Sequence, residues 1–423
     1  MSKDHLIKVF CFDMEIGSLG WDQNRALSYF QYHPEFLTNT DYIHLIPKTR
    51  IINRVKEVQV YRKFNNETFR GLPPIFADSL PDMFGNIVFK SWLESKNKNF
   101  ESISVIEQLA YVANRGMGAF EYRPQKKVPN ASGIDLLEIV EVLRYVLDLK
   151  SKTRSKKLNH KSLLNVFKIG TSAGGARPKI LISEHKKSGR IIPGDINYSD
   201  DFNHYLIKLC LDDELDYKRE LIEYSYYLTL SKCGINIMDS KLVDDLHFAT
   251  KRFDRVGGEK IHVLTATGIT GWDFSNPAVS TYENLFELCL FLKIPHAQIE
   301  ELFKRMVFNI VFANSDDHLK NHSFVYDKER DAWNLSPAYD ITYSLNPLMN
   351  YKKVSRALSI NGKRSNISLE DVQILARKYT IRNHMSIIDE VNSSITFWRK
   401  CAKELGISSK IITSISKDFQ VLK

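Results

Sequence analysis

The chain has 423 residues, enough at roughly 150 per domain for two or three domains that each bury a core. With 43% apolar, 26% charged and 11% aromatic residues, 19 Gly and 13 Pro, the composition is globular and excludes collagenous, disordered and small disulfide-stapled classes. Lys and Arg number 59 against 50 Asp and Glu, and the net charge of +9 favours anionic partners without choosing among nucleotides, nucleic acid and acidic surfaces.

Five cysteines (Cys11, Cys210, Cys233, Cys289, Cys401) lie far apart with no CxxC pair, which suggests neither a disulfide framework nor a thiolate zinc site. Residues 1–10 lack the pattern of an export signal. The greasiest stretch, Leu285 to Ile294, contains Glu287 and Lys293, so no membrane span is expected. A soluble cytoplasmic protein is the expectation.

In chain order, short β-branched or aromatic runs at Lys8–Phe12, Tyr42–Ile46 and Val58–Tyr61 predict strands with a helix or two between them. Ile87–Leu93 and Val105–Ala113 then space their apolar residues at three and four. After Gly133, a helix over Ile134–Leu149 is predicted, with Leu136, Leu137, Val140, Leu143 and Leu147 on one face. Residues 1–149 are therefore read as one mixed domain. The run Lys150–Lys161 holds six cationic residues and no acid, and reads as a solvated connector or as a strip that meets phosphates. A glycine-interrupted strand (Phe167–Ile182), a strand ending at Ile207-Lys208-Leu209 and a helix from Tyr217 to Cys233, stopped by Gly234, follow. From Tyr282 onward the periodicity is mostly helical, broken by polar clusters at Asn314–Asn321 and Asn334–Tyr343.

The segment Gly170 to Lys179 (GTSAGGARPK) exposes backbone N–H groups in a tight turn and places cations just after it, which suits phosphate. A Walker A loop fails because Ala176 stands where Lys is needed. The dinucleotide fingerprint fails on glycine spacing, both here and at Gly116-Met117-Gly118. In Asn314–Asn321 (NSDDHLKN), Asp316 and Asn321 are five apart, the spacing between the base and the metal-binding Asn in a D-x-x-x-x-N catalytic loop. Asp317 competes with Asp316 as the base. Asp340 follows 24 residues after Asp316, in the order expected of the main Mg²⁺ ligand. His318 and His322 have zinc-helix spacing, but Leu319 occupies the place of the needed Glu. Lys208 ends a strand from which it could reach phosphates, and Glu220 or Glu223 on the next helix could orient it. Thr250–Arg255 falls where a kinase joins its lobes.

Taken together, these segments resemble the HipA family of serine/threonine protein kinases, the toxin half of bacterial type II toxin–antitoxin pairs. The likeness covers nearly the whole chain. Gly71–Phe76 (GLPPIF), Ser79–Asp82 (SLPD) and Gly116–Phe120 (GMGAF) resemble the family's N-terminal subdomain. GGARPK (Gly174–Lys179), Arg252-Phe253-Asp254-Arg255, NSDDHLKN and PAYD (Pro337–Asp340) resemble its kinase core. The resemblance implies an α+β, two-lobed protein-kinase-like fold: a small mixed α/β N-terminal subdomain over 1–149, an N-lobe with Gly-rich loop and hinge over 150–255, and a mainly helical C-lobe over 256–423.

By the same resemblance, Asp316 is the catalytic base and Asn321 and Asp340 are the Mg²⁺ ligands. Ser172, Gly174, Gly175, Lys179 and Lys208 contact the phosphates of ATP, and Arg252 and Phe253 form the adenine hinge. Glu223 is the helix Glu that orients the lysine. Ser172, with Thr171 beside it, matches the loop serine that family members autophosphorylate. Lys251 stands where some members carry an acid. The implied partners are a protein substrate with a Ser or Thr acceptor, with an aminoacyl-tRNA synthetase as the candidate, and a HipB-like helix-turn-helix antitoxin. No such segment stands at either end here, so the antitoxin is expected on a separate chain, with DNA reached only through it. A non-catalytic pseudokinase corepressor and a small-molecule kinase are the rival readings.

Overall fold

A computed structural model of the protein describes residues 6–49, 53–81, 83–126, 136–148, 177–194, 199–211, 216–351 and 354–423. The chain divides into two compact units. Unit 1 comprises 1–213 and 249–263, and unit 2 comprises 214–248 and 264–423.

Unit 1 opens with β1 (Leu6–Cys11), β2 (Met14–Asp22), β3 (Leu27–Tyr32), α1 (Pro34–Thr38), β4 (Gln59–Val60), α2 (Pro74–Ala77), α3 (Met83–Glu94), α4 (Val105–Val112), β5 (Phe120–Arg123) and α5 (Leu136–Asp148). The five strands form one sheet in the order β4-β3-β2-β1-β5. β1 alternates, burying Ile7, Val9 and Cys11, as one packed sheet face requires. Phe12 and Asp13 both take positive φ, 51° and 61°, which is the tight turn whose twist suits a two-residue hairpin. On the buried face, Phe76 meets Phe30 at 4.9 Å and Phe120 at 5.3 Å between ring centroids, in edge-on contacts that suit aromatic quadrupoles. α4 starts at a Ser104–Glu107 capping box.

The expected strands at Lys8–Phe12 and Val58–Tyr61 form, but Tyr42–Ile46 is bend and turn. The strands that follow β1 are instead β2, whose Gly17 and Gly20 blur the alternation, and β3. α5 forms where predicted, yet Leu137 is exposed and the buried stripe runs through Ile139, Val140, Val142 and Leu143. The Lys150–Lys161 run and the Gly-rich loop, including Thr171, Ser172, Gly174 and Gly175, lie outside the described residues.

Unit 1 continues with β6 (Lys179–His185), β7 (Ile191–Pro193) and β8 (Phe202–Lys208), where β6 pairs antiparallel with both β7 and β8. It also holds the turn Arg252–Arg255. Two imidazoles of this unit, His204 and His262, are buried. Burial lowers their pKa to about 4 and about 3, with the nearby Arg252 and Arg255 adding to the effect at His204. Because these values lie below the unfolded reference of about 6.5, the neutral imidazoles add stability above that pH, and the contribution is lost as pH falls toward 4 and 3. The unfolding temperature is accordingly expected to drop between pH 7 and pH 4, and replacing both His204 and His262 by Gln should flatten that slope in calorimetry.

Unit 2 is mainly helical. Its elements are α6 (Arg219–Lys232), β9 (Ser240–Val243), α7 (Ala266–Thr270), α8 (Tyr282–Phe291), α9 (His296–Val311), the strand pair Ser323–Asp327 and Ala332–Leu335, α10 (Leu369–Lys378), α11 (His384–Glu404) and α12 (Ser409–Lys417). Its core is an aromatic cluster that fixes where α9 ends. Phe308 and Phe312 stack at 4.2 Å, Tyr226 and Phe419 pack edge-on against Phe312, and the Tyr226 hydroxyl donates to the Phe312 carbonyl at 2.7 Å. From α11, Trp398 Nε1 donates to Ser225 Oγ at 2.9 Å. Ala313, at φ 53°, turns the chain out of the helix, and the polar cluster begins at the next residue.

Candidate functional site

In unit 1 the lysines come together. Lys179 and Lys208 are direct partners in the β6–β8 register, so their side chains share a face, and both are buried. On the same strand as Lys208, the His204 carbonyl accepts from Arg252 N at 2.9 Å. Sequence reasoning assigned Arg252 to a ligand hinge, and its guanidinium is already committed: Nε and Nη2 reach the two Asp254 carboxylate oxygens at 2.9 and 2.8 Å. Phe253, beside it, is half-buried.

In unit 2, Asn314–Asp317 are irregular, Leu319–Asn321 form a single 3₁₀ turn, and the strand pair leads on to Asp340. The Asn321 amide Nδ2 donates to the Asp316 carbonyl at 2.8 Å. That bond orients the amide and spans the D-x-x-x-x-N spacing across one loop. The Tyr339 hydroxyl donates to the Lys320 carbonyl at 2.8 Å, and Ala338 N donates to the Asn236 carbonyl at 2.7 Å, which fixes the chain on the N-terminal side of Asp340. Asp340 itself has φ 56°, a left-handed conformation that Asp tolerates and that recurs at functional sites. Asn321, Asp340 and Asp317 line one small polar pocket with Asn314, His322 and Arg305.

The two adjacent carboxylates have separate environments. The Asp316 side chain is 67% exposed, with His318 Nε2 at 3.9 Å. Asp317 is fully buried: Oδ2 accepts from the Tyr282 hydroxyl at 2.8 Å and lies 3.5 Å from Arg356 Nε. The first carboxylate is therefore open to solvent, and the second is enclosed by Tyr282 and Arg356. Burial, reinforced by Asp317, raises the Tyr282 pKa well above its usual value, so this phenol remains a donor. Burial with Arg305 nearby lowers the His322 pKa to about 3 and leaves it neutral.

The residues of this pocket fit a hard divalent cation. Its donors are carboxylate and amide oxygens, and Asn314 Oδ1 and His322 Nε2 are buried there with no hydrogen-bond partner among the described residues. Those atoms are suited to hold hydration water beside a cation bound through Asn321 and Asp340. No group of three or more His, Cys, Asp or Glu side chains that could hold a metal ion forms among the described residues, so a cation here would rest on amide and water oxygens as well as on Asp340. Glu223, with Glu220, is buried on α6, outside this pocket. The frame residues Tyr282, Asn309 and Arg356 escape sequence reasoning. The readable signal was Arg305 and Asn309, a polar pair four apart in the more apolar C-terminal half of α9, hence on one face of it.

Antiparallel sheets and packed helices, with a carboxylate-bearing loop set between a helix end and a strand pair, make this a mixed α/β protein with a polar catalytic-type loop. The family model described as HipA-like C-terminal domain matches residues 171–405, and the one described as HipA N-terminal domain matches residues 7–123. The chain belongs to the HipA family. A Shewanella oneidensis HipA, solved as a toxin–antitoxin complex of HipA, HipB and operator DNA, superposes with a TM-score of 0.62 at 14% identity, over 97% of this chain and 96% of its own. The Sinorhizobium fredii protein named "Putative kinase Y4dM" is 25% identical over 212 residues, 46% of this chain and 51% of its own, so this chain spans about half the length of that curated relative. A Helicobacter pylori proinflammatory kinase, CtkA, reaches a TM-score of 0.34 at 12% identity over 51% of this chain and 86% of its own, a likeness too slight to build on. Among the described residues, no helix is long and apolar enough to cross a membrane.

Proposed function

We propose that the protein is an ATP-dependent serine/threonine protein kinase and acts as a HipA-like toxin. The observation that carries the reading is the loop itself. A solvent-facing Asp316 carboxylate stands on a turn whose carbonyl Asn321 clasps, and Asn321 and Asp340 line the same pocket. Family membership and the kinase name of the Sinorhizobium fredii relative support it.

In this reading, residues 1–149 are the N-terminal subdomain, 150–255 the nucleotide lobe and 256–423 the catalytic lobe. Lys179 and Lys208 neutralise phosphates of ATP together with the loop of Ser172, Gly174 and Gly175. Glu223 orients the lysine, and the turn at Arg252 and Phe253 receives the adenine. Asn321 and Asp340 hold Mg²⁺, which supplies charge neutralisation on the transferring phosphoryl group. Asp316 accepts the proton of a Ser or Thr hydroxyl as its oxygen bonds to the γ-phosphorus. The bond from that phosphorus to the β–γ bridging oxygen breaks, and ADP leaves. Positioning and electrostatics carry most of the rate. Ser172 is the proposed autophosphorylation site, an aminoacyl-tRNA synthetase a candidate substrate, a HipB-like antitoxin on another chain the partner, and the cytoplasm the compartment.

Incubation with ATP and Mg²⁺ is expected to add one phosphate to the chain or to a protein in a bacterial lysate, as read by mass spectrometry. Asp340→Ala should abolish this. No protein phosphorylation by the wild type, or an Asp340→Ala protein as active as wild type, would refute the reading.

A further inference from the structure

The loop that carries Asp316 is held from the side by a segment far along the chain, residues 356–358. Arg356 Nη2 donates to the Asn314 carbonyl at 3.0 Å, Ala357 N to the Ser315 carbonyl at 2.8 Å, and Leu358 N to Asp317 Oδ1 at 3.3 Å. Arg356 Nε faces Asp317 Oδ2 at 3.5 Å, with the two side chains 6% and 0% exposed. From behind, Arg364 donates to the Arg356 and Ala357 carbonyls and to the Ser280 carbonyl, the last at 3.0 Å. Within the loop, Asn314, Ser315 and Asp317 are thus tied to 356–358, while the Asp316 side chain between them faces solvent.

We propose that residues 356–358 form a strap that positions Asp316, with Arg356 as the positioning residue and the buried Asp317 carboxylate as its fixed counter-charge. Kinases that are switched by phosphorylation order such a segment through an arginine that pairs with an added phosphate. Here the acidic partner is part of the chain and lies within the catalytic loop, so the strap needs no modification to form. The proposal rests on the kinase reading for its catalytic consequence and on geometry alone for the strap.

Its test uses the full chain and the variant Arg356→Lys, which keeps the charge but gives up the planar fork that reaches Asn314 and Asp317 together. The shape-conserving Asp317→Asn is the second variant should the first not fold. Hydrogen exchange at the backbone amides of 314–321 is expected to rise in the variants while exchange in α6 stays unchanged. kcat is expected to fall about 10²-fold, the cost of a small misplacement of a reacting group, with the Kd for ATP·Mg²⁺ within about twofold of wild type. Unchanged exchange at 314–321 overturns the strap whatever the activity. Raised exchange with wild-type kcat overturns its catalytic role. Should the wild type transfer no phosphate, the kinase reading falls, and the exchange measurement still decides the strap.

Discussion

Asp316→Asn is expected to lower phosphoryl transfer by about 10² to 10⁴ while leaving the fold and ATP binding intact. That loss corresponds to about 3–5 kcal/mol of barrier, from a side chain that is largely solvent-exposed. The substitution keeps the bond that closes the loop, because what Asn321 clasps is the Asp316 main-chain carbonyl, which asparagine retains. Stability should therefore change by no more than about 0.5 kcal/mol. The neighbouring Asp317 gives the contrast: it is fully buried, and its loss works through the shape of the loop. Transfer by Asp316→Asn, followed with labelled ATP beside thermal unfolding, separates the roles. Near wild-type transfer would remove Asp316 as the base.

The largest effect on stability is expected from Asp254→Ala. Asp254 is fully buried and accepts from Arg252 Nε and Nη2, from Arg255 Nη1 at 2.8 Å and from Gly118 N at 2.9 Å. Arg255 also donates to the Gly116 and Gly118 carbonyls at 2.8 and 3.0 Å, so one carboxylate joins the Gly116–Gly118 loop to the turn at 252–255 within unit 1. Its removal strands two buried guanidinium groups, at a cost of about 3–5 kcal/mol, against a total stability of about 5–15 kcal/mol for an ordinary domain. A fall in the unfolding midpoint equivalent to less than about 1 kcal/mol would show that the cluster contributes little. Burial by itself raises the Asp254 pKa, but Arg252 and Arg255 outweigh it and hold the carboxyl far below the usual carboxylate range. Its stabilisation is therefore full above an unfolded value of about 3.9 and is lost as the pH falls below that, later in an acid titration than the loss from His204 and His262.

The candidate loop was more legible in the sequence than the frame that holds it. Asp316, Asn321 and Asp340 stand out because polar side chains break an apolar helical period and recur at a spacing that one loop can close, and the structure closes it from Asn321 to the Asp316 carbonyl. Helices α3, α4, α5 and α6 follow their periodicity to within a few residues, apart from the leading end of α3. The sheet is less visible, because Gly17 and Gly20 interrupt the alternation of β2, and Tyr42–Ile46 has strand composition without strand partners. The turn at Arg252–Arg255 reads as a ligand hinge, and in the structure Arg252 Nε and Nη2 hold Asp254. That bond network reaches Gly118, 136 positions away, and no local pattern encodes such a partner. Arg356 is hidden for the same reason: its partner Asp317 is known only once the chain has returned to the loop.

In the proposed reading Lys208 serves the phosphates of ATP and Asp340 its metal, and titration calorimetry with ATP, with and without Mg²⁺, tests this most directly. Wild type is expected to bind ATP more tightly with the metal. Asp340→Ala should lose that gain and keep the metal-free affinity, while Lys208→Ala should weaken binding in both conditions. An Asp340→Ala protein that keeps the full magnesium gain, or a Lys208→Ala protein that binds ATP as wild type does, would contradict the account.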